Sequence, residues 1–289
     1  MKQLTVVSGK GGTGKTTIAA AFASLAKNAV FADCDVDAAD LHLILDPATK
    51  ETIEFSGMKL AKKDDEKCTS CGECLEHCRF GAIDENYNII NERCEGCGVC
   101  EFVCPTDAIE LVERKSGVAY KSVTRFGPMA HAVLNTAEEA SGKLVNLVRN
   151  HARLMAHENN KDLIIIDGPP GIGCPVISAI TGVDLVLLVT EPTLSGIHDM
   201  DRILGVTRHF NIPAVVCINK FDINPENANK IEEFCDNENL SVVGKLPYDN
   251  VSTAAMIEGK TLIEYSNGTL ATKVGEMWNN ILKILVGSQ

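Results

Sequence analysis

A glycine-rich stretch near the start of the chain limits what this sequence can fold into more than any other feature. Ser8–Thr17 reads Ser-Gly-Lys-Gly-Gly-Thr-Gly-Lys-Thr-Thr, with the apolar run Leu4–Val7 before it and the alanine-rich run Ile18–Lys27 after it. This order predicts a buried strand, a tight loop and a helix, which is the context in which such a loop binds phosphate. Backbone N–H groups can close around phosphate oxygens where no Cβ intervenes, and the helix N-terminus adds further donors.

The side chains of this loop have the chemistry that a nucleoside triphosphate and Mg²⁺ require. We expect Lys15 to reach the β- and γ-phosphates and the Thr16 hydroxyl to bind Mg²⁺. The other loop residues predicted to bind the nucleotide are Gly11, Gly12, Thr13, Gly14 and Thr17. A glycine-rich turn with a chance lysine is the alternative, and it does not explain the agreement of spacing and flanking segments.

Carboxylates follow two other apolar segments. Ala29–Asp33 is predicted to be a strand that leads into Asp33-Cys34-Asp35, and the apolar run before Asp167 predicts a buried parallel strand. Ligands of open α/β sheets bind beyond the carboxyl ends of the strands. An aspartate in this position, after an apolar strand, is the Walker B pattern, so Asp167 is predicted to orient Mg²⁺ and its waters.

The early lysine, Lys10, makes the loop resemble the deviant Walker A loop of the MinD/ParA/Mrp/nitrogenase-iron-protein (SIMIBI) group of P-loop ATPases. The segments Asp33–Asp35 and Asp167–Gly171 continue the resemblance, which covers residues 1–60 and 115–289. It implies an α/β P-loop fold with a mostly parallel sheet covered by helices on both faces. It also implies that ATP and Mg²⁺ bind at the interface of a homodimer.

The resemblance further assigns individual roles. It implies that Lys10 crosses the dimer interface to the partner's nucleotide, although Lys10 could instead only decorate the loop. The other implied roles are activation of the attacking water by Asp35, support of Mg²⁺ through water by Asp33, and contact of the Gly171 N–H with the γ-phosphate. Lys10, Lys15, Asp35 and Asp167 are therefore the expected catalytic residues of an ATPase that is slow without a partner.

The phrase Asn219-Lys220-Phe221-Asp222 follows another predicted strand, Pro213–Ile218. In GTPases such a phrase reads guanine through the aspartate, whereas in the MinD group the asparagine contacts adenine. Both interpretations stay open, and the resemblance favours ATP. It also places Pro247 beside the base.

Eight of the twelve cysteines lie between Cys68 and Cys104, in two copies of C-x₂-C-x₂-C-x₃-C. This tandem spacing is the bacterial two-cluster ferredoxin run, in which the fourth cysteine of each copy serves the other cluster. The predicted ligands are Cys68, Cys71, Cys74 and Cys104 for one [4Fe–4S] cluster, and Cys94, Cys97, Cys100 and Cys78 for the second. Disulfides fit this spacing less well than reduced thiolates. Zinc is the alternative metal, although zinc modules usually have two separated C-x₂-C pairs.

A small α+β ferredoxin-like domain is thus predicted over residues 61–114, inserted into the ATPase domain. Cys174 lies seven residues after Asp167. A cysteine at this offset ligates the bridging cluster in the nitrogenase iron protein, but the second cysteine of that site has no counterpart between Cys104 and Cys174. Cys174 is therefore either a metal ligand or a small packed residue.

The net charge and the apolar runs of the sequence limit the classes of partner that the protein is expected to bind. The formal net charge of −12 argues against nucleic acid, which normally needs a basic patch. Without a signal peptide or an apolar run long enough to span a bilayer, we expect a cytoplasmic protein with no stable membrane anchor. The leading hypothesis is an ATPase that couples nucleotide state to electron transfer or metal-cluster delivery to a partner protein. An Mrp-like cluster-assembly carrier and a MinD-like positioning switch with a redox sensor are the alternatives.

Overall fold

The computed structural model describes residues 1–135 and 141–287. The chain divides into two compact units. The P-loop unit contains Met1–Ile53, Ala119–Val133 and the residues from Ser141 onward, whereas the cysteine-rich unit contains Glu54–Val118 and a short segment that begins at Leu134. The predicted insert, residues 61–114, lies within the cysteine-rich unit.

Strands and helices alternate through most of the P-loop unit. The strands are β1 (Lys2–Ser8), β2 (Ala29–Asp33), β3 (Ala48–Lys63), β4 (Ile109–Thr124), β5 (Gly127–Leu134), β6 (Leu163–Pro170), β7 (Leu185–Thr190), β8 (Ala214–Asn219) and β9 (Ser241–Leu246). The helices are α1 (Lys15–Leu25), α2 (Leu41–Leu45), α3 (Glu73–His77), α4 (Val99–Phe102), α5 (Ser141–Glu158), α6 (Cys174–Ile180), α7 (Leu194–His209), α8 (Pro225–Asn237), α9 (Val251–Ile257), α10 (Leu262–Tyr265) and α11 (Thr269–Gly287). A 3₁₀ turn spans Asn91–Arg93.

The sheet has the strand order β3-β4-β5-β2-β6-β1-β7-β8-β9. The neighbouring strands from β5 to β9 in this order pair in parallel, as β2–β5, β2–β6, β1–β6, β1–β7, β7–β8 and β8–β9. Buried apolar runs such as those of β6 and β7 are typical of parallel strands covered on both faces. The prediction of an α/β fold with a mainly parallel sheet is confirmed.

Alternation along β1 explains how helices cover both faces, because successive side chains of a strand point in opposite directions. Leu4 and Val6 pack in the core cluster with α1 and α11, where the rings of Phe22 and Trp278 lie 4.8 Å apart. Between them, the Thr5 hydroxyl donates to the Ala179 carbonyl of α6 at 3.1 Å. The sheet therefore carries helices on either side.

Two long strands, β3 and β4, lie at one end of the strand order. The charged run 59–67 is typical of a linker, but β3 continues into it as far as Lys63. Its polar composition fits a sheet edge, where charged side chains protect an unpaired strand. Ion pairs join the two strands: Glu51 to Lys121 at 2.9 Å and Glu54 to Lys115 at 2.6 Å.

The helix that the sequence predicts over residues 137–157 is α5, and residues 137–140 of that prediction lie outside the described residues. In the described parts of the chain, the helices are too short or too polar to cross a membrane.

Candidate functional site

The phosphate loop joins β1 to α1 in a conformation that glycine favours. Gly12 and Gly14 have φ angles of 78° and 90°, in the left-handed region. A Cβ on Gly14 would also lie 2.5 Å from the side-chain nitrogen of Asn219. Thr13 is buried, and its hydroxyl has no hydrogen-bond partner in the part of the chain that the structure describes. Glycine is therefore required for the backbone conformation of this loop, and the Thr13 hydroxyl is available to bind a ligand.

The predicted acids lie together at the carboxyl ends of the parallel strands. Asp33 and Asp167 are direct neighbours in the β2–β6 register, and both are almost fully buried. The Asp33 carboxylate accepts hydrogen bonds from the backbone N–H groups of Asp35 (3.2 Å) and Leu41 (3.1 Å). Lys15, also buried, places its Nζ 3.5 Å from Oδ2 of Asp35. The loop lysine and all three acids are thus held together.

Burial raises the pKa of each of these three carboxyls. For Asp33, the negative charge of Asp167 adds to the effect of burial. For Asp167, burial dominates, while Lys15 and the Thr16 hydroxyl lower the pKa in part. For Asp35, burial is again the main cause and Lys15 opposes it. Because burial disfavours the charged form of all three carboxyls, a bound cation would stabilise this site.

The donor groups fit Mg²⁺. Both carboxylate oxygens of Asp167 are buried, and no described residue forms a hydrogen bond of normal length to them. This arrangement costs free energy unless a ligand or water satisfies the two oxygens. Mg²⁺ prefers one or two carboxylates together with waters and phosphate oxygens. Within residues 1–135 and 141–287, no three His, Cys, Asp or Glu side chains converge closely enough to hold one ion by themselves. When bound, Mg²⁺ would be held by Thr16 and Asp167, with Asp33 behind its waters.

Lys10 contacts residues of its own chain. Its Nζ lies 3.3 Å from the Glu191 carboxylate and 3.5 Å from the Thr193 hydroxyl. Lys220 also pairs with Glu191 and donates to the Gly12 carbonyl at 3.1 Å. The predicted role of Lys10 toward a partner's nucleotide would require it to leave Glu191.

Sequence reasoning missed Glu191 and Lys220. Glu191 directly follows β7, at the edge of the sheet where ligands bind, and that position was the available signal. Lys220 was quoted only as part of the Asn219–Asp222 phrase.

Three predicted contacts to the nucleotide are placed differently from one another. The Gly171 N–H donates to the Ser8 carbonyl at 2.9 Å, so a phosphate contact would replace this hydrogen bond. Asn219 donates to the Thr13 carbonyl at 2.7 Å. Asp222 accepts from the Tyr248 N–H at 2.7 Å and fixes the loop after β9.

A cavity of about 320 Å³ adjoins the loop. It is lined by Gly12, Gly14, Thr17, Asn219 and Pro247, together with apolar side chains of α1, α9, α10 and α11. Asp222 is not part of the lining. The remaining lining residues include the polar side chains of Lys220, Tyr248, Asp249, Ser252 and Thr253. A cavity of this size next to a phosphate loop, with both apolar and polar walls, can hold a base.

The cysteine-rich unit contains two cavities lined by four thiols each. The Cys68 cavity is lined by Cys68, Cys71, Cys74 and Cys104, and the Cys94 cavity by Cys78, Cys94, Cys97 and Cys100. Each cavity thus takes three thiols from one sequence repeat and the fourth from the other. Four thiols placed around a cavity suit a cubane, whose irons each take one thiolate, whereas zinc requires convergence on one ion.

The two repeats have the same local backbone. Gly72 and Gly98, each one residue after the second cysteine of its repeat, have φ angles of 86° and 82° and precede α3 and α4. The backbone N–H four residues after the last cysteine donates to its sulfur in both repeats, from Ala82 to Cys78 at 3.4 Å and from Ala108 to Cys104 at 3.2 Å. Donors of this kind stabilise thiolates that ligate iron.

The pKa of Cys104 is lowered. Burial acts against this change, but hydrogen bonds from the Thr106 and Ala108 backbone and from the Thr106 hydroxyl outweigh it. The thiolate, the form that binds metal, therefore forms more readily at Cys104 than at a thiol of ordinary pKa.

The cysteines outside the two repeats differ in exposure. Cys34, Cys217 and Cys235 are buried, as expected of structural thiols. Cys174 is exposed at the start of α6, so its interpretation as a small packed residue is wrong. The first turn of a helix that begins at the surface leaves this side chain in solvent, and its role as a metal ligand stays a prediction.

Comparison with known proteins agrees with this geometry. The family model described as the CobQ/CobB/MinD/ParA nucleotide binding domain matches residues 4–262. An uncharacterised protein of Methanocaldococcus jannaschii is 34% identical over 286 residues, which cover 98% of this chain and 97% of that protein. Part of the chain is 32% identical, over 96 residues, to an archaeal-type glutamate synthase (NADPH) of Thermotoga maritima, covering 32% of this chain and 18% of that protein.

Among solved structures, the septum site-determining protein MinD of Pyrococcus horikoshii, complexed with Mg-ADP, has a TM-score of 0.60. It is 17% identical and covers 98% of this chain and 96% of that one. The likeness in structure confirms the fold, and the family match spans most of the sequence. The chain belongs to the CobQ/CobB/MinD/ParA family of nucleotide-binding domains.

Proposed function

We propose that the P-loop unit binds and hydrolyses Mg·ATP. The observation that supports this is the buried group of Lys15, Asp33, Asp35 and Asp167, beside a loop in which the buried Thr13 hydroxyl has no partner among the described residues. Lys15 would neutralise the phosphates, and Asp35 would orient the attacking water once Lys15 turns from it to the nucleotide. Adenine is the better fit for the cavity, because Asn219 lines it whereas Asp222, the residue expected to read guanine, accepts a hydrogen bond from the Tyr248 N–H outside the lining.

We propose further that the cysteine-rich unit holds two [4Fe–4S] clusters and that the protein transfers electrons under the control of its nucleotide state. The single observation that carries this proposal is the division of eight thiols into two cavities, with the last cysteine exchanged between repeats. The partial similarity to a glutamate synthase named for NADPH, an electron donor, supports a redox role for part of the chain.

Coupling between the two activities is supported by the path of the chain. Asp33 and Asp35 lie directly before α2 and β3, and β3 leads into the cysteine-rich unit. Leu41, the first residue of α2, donates its N–H to Asp33. A change at these acids on nucleotide binding would therefore act on the segment that enters the second unit.

The ligand assignment is tested by iron and acid-labile sulfide analysis of the anaerobically purified full chain. We expect about eight irons per chain, because each [4Fe–4S] cluster contains four. Cys71→Ser and Cys97→Ser should each remove about half of the iron. Cys217→Ala, a buried thiol in β8, is the matched control and should keep all of it. A colourless protein without iron would contradict the proposal.

The coupling is tested by reducing the clusters and measuring electron transfer to a chemical acceptor with ATP, with ADP and without nucleotide. We expect different rates in the three states, and the difference should vanish in Lys15→Ala. Equal rates would remove the coupling and leave an ATPase with independent clusters. Loss of iron to an apo-acceptor in place of electrons would favour cluster delivery, the alternative function.

A further inference from the structure

The two thiol-lined cavities are related by the internal repeat, yet their walls differ. The segment Cys104-Pro105-Thr106 corresponds to Cys78-Arg79-Phe80 in the other repeat. A threonine therefore stands at the Cys68 cavity where the Cys94 cavity has a phenylalanine, and both residues line their cavities. Each cavity thus serves as an internal reference for the other.

Hydrogen bonding to the exchanged thiol is the first difference. The Thr106 hydroxyl lies 3.8 Å from the Cys104 sulfur, within hydrogen-bond range for sulfur. This hydroxyl adds a side-chain donor to the backbone N–H groups, such as that of Ala108, that face a Cys104 thiolate. Cys78 receives the corresponding N–H bond from Ala82, but Phe80 offers no hydroxyl. The Cys68 cavity therefore has one donor more at this position.

Charge is the second difference. Lys63 lines the Cys68 cavity with a side chain that is only 12% exposed. Its partner at 2.9 Å, Asp65, is 84% exposed, so water screens that carboxylate much more than the ammonium group. The charged residue that lines the Cys94 cavity is Glu95, and the half-exposed apolar side chains of Phe80 and Val99 stand beside it.

We propose that a [4Fe–4S] cluster in the Cys68 cavity has the higher reduction potential, so that the first electron taken up by the protein rests there. Reduction adds one negative charge to a cluster, and hydrogen-bond donors and a cation favour that charge, whereas an anion and an apolar wall do not. If both cavities held clusters, one electron on a reduced cluster at the Cys94 cavity would pass to an oxidised cluster at the Cys68 cavity, because the residues of that cavity favour the added charge. No proton or bond is exchanged.

This inference rests on the proposed clusters, and its test separates the two. The full chain, purified anaerobically, is titrated with dithionite, a chemical one-electron reductant, against a series of redox mediators. Electron paramagnetic resonance then reports how much of each cluster is reduced at each potential. We expect two separate one-electron steps in the wild type.

Substitutions assign the steps to the cavities. Thr106→Val removes the hydroxyl with little change of shape, and it should lower the upper potential by about 59 mV, which is about tenfold in the ratio of reduced to oxidised cluster. The lower step should not move. Thr106→Ser keeps a hydroxyl and should leave both steps in place. Phe80→Thr, at a half-exposed position, should raise the lower step.

The outcomes are distinct. Absence of iron and of any cluster signal would overturn the proposed function together with the inference. Two clusters that titrate at one potential, or a Thr106→Val variant in which only the lower step moves, would overturn the inference alone. Should Thr106→Val lose iron, the response of the lower step to Phe80→Thr decides by itself.

Discussion

Most of the chemistry expected of the P-loop unit depends on single buried carboxylates. Asp167 is the one whose role can be tested most directly. Among the described residues, neither of its oxygens has a hydrogen-bond partner at normal distance, and Asp33 lies beside it in the register. We expect Asp167→Asn to stabilise the nucleotide-free protein by about 1 to 3 kcal/mol at neutral pH, because it removes a buried charge that Lys15 and the Thr16 hydroxyl compensate only in part.

The same substitution should abolish the stabilisation by ligand. Wild type should gain about 2.7 kcal/mol when Mg·ATP is about 100-fold above its Kd, and Asp167→Asn should gain little. Chemical denaturation with and without Mg·ATP measures both effects, and ATP with EDTA is the control. A variant less stable than the wild type without nucleotide would contradict this account of Asp167.

The effect should depend on pH in a defined direction. Burial raises the pKa of Asp167 from its ordinary 3.8 to about 6 in the folded state. The carboxyl therefore destabilises the fold fully above about pH 6, and this loss is relieved as the pH falls from about 6 toward 3.8. The stability difference between Asp167→Asn and the wild type should accordingly shrink over that window, as urea titrations at several pH values would show.

Substitutions at two loop glycines can distinguish an effect on stability from an effect on ATP binding. Gly14 needs its left-handed φ, and a Cβ there would strike Asn219, so Gly14→Ala should cost about 1 to 3 kcal/mol of stability. Nothing lies within 4 Å of a Cβ on Gly11. Gly11→Ala should therefore change stability by less than about 0.5 kcal/mol while it weakens ATP binding, since the new methyl group occupies the empty loop. Thermal unfolding and calorimetric ATP titration of both variants measure this; normal affinity in Gly11→Ala would contradict the phosphate role.

At the scale of elements, the turn between β4 and β5 is held by one residue far away in sequence. Arg125 donates twice to Glu264, through Nε and one terminal nitrogen, at 2.7 Å each. The same terminal nitrogen donates to the Ile44 carbonyl of α2 at 2.9 Å. Glu264 also completes the capping box of α10 with Thr261. Arg125 thus links the β4–β5 turn to α2 and to α10, which lines the cavity of about 320 Å³ beside the phosphate loop.

We expect Arg125→Met to cost about 1 to 2 kcal/mol, since a bidentate charged pair that is only about one-third exposed is worth more than a fully exposed surface pair. Arg125→Lys should recover little of it, because lysine lacks the planar fork. Hydrogen bonding from Arg125 lowers the pKa of Glu264 to about 2. The loss should therefore be complete above about pH 4.5 and should fade as the pH drops toward 2. Urea unfolding measures it, and Lys260→Met, which breaks an exposed pair with Glu258, is the control; equal losses in both variants would contradict the role of Arg125.

The sequence predicts those features that depend on residues close together in the chain, and misses those that depend on residues far apart. Local signals placed β1, α1 and β6, because apolar runs, glycine spacing and a terminal aspartate act within a few residues. The Arg125–Glu264 pair spans 139 positions and leaves no periodic trace, although the capping box Thr261-x-x-Glu264 was readable. The edge strand β3 escaped detection because edges are polar by necessity, and the same polarity is typical of a linker.

For the whole molecule, charge limits how two copies can meet. Each chain has a formal net charge of −12, so two copies repel each other at low salt. An ATP-dependent homodimer therefore needs local cations at its interface. Lys10 is the predicted one, and in the single chain its charge is taken up by Glu191.

The last prediction follows from that competition. Glu191→Gln removes the carboxylate that holds Lys10, so more of the lysine is free to reach a second copy. We expect ATP-dependent dimerisation to tighten by roughly twofold to fivefold, the range for a partly exposed ion pair, as measured by analytical ultracentrifugation. Glu238→Gln removes the same charge from a surface pair with Arg208 and controls for net repulsion. Lys10→Ala should abolish the dimer in either background. Equal tightening in Glu191→Gln and Glu238→Gln would mean that overall charge, and not release of Lys10, sets the affinity between copies.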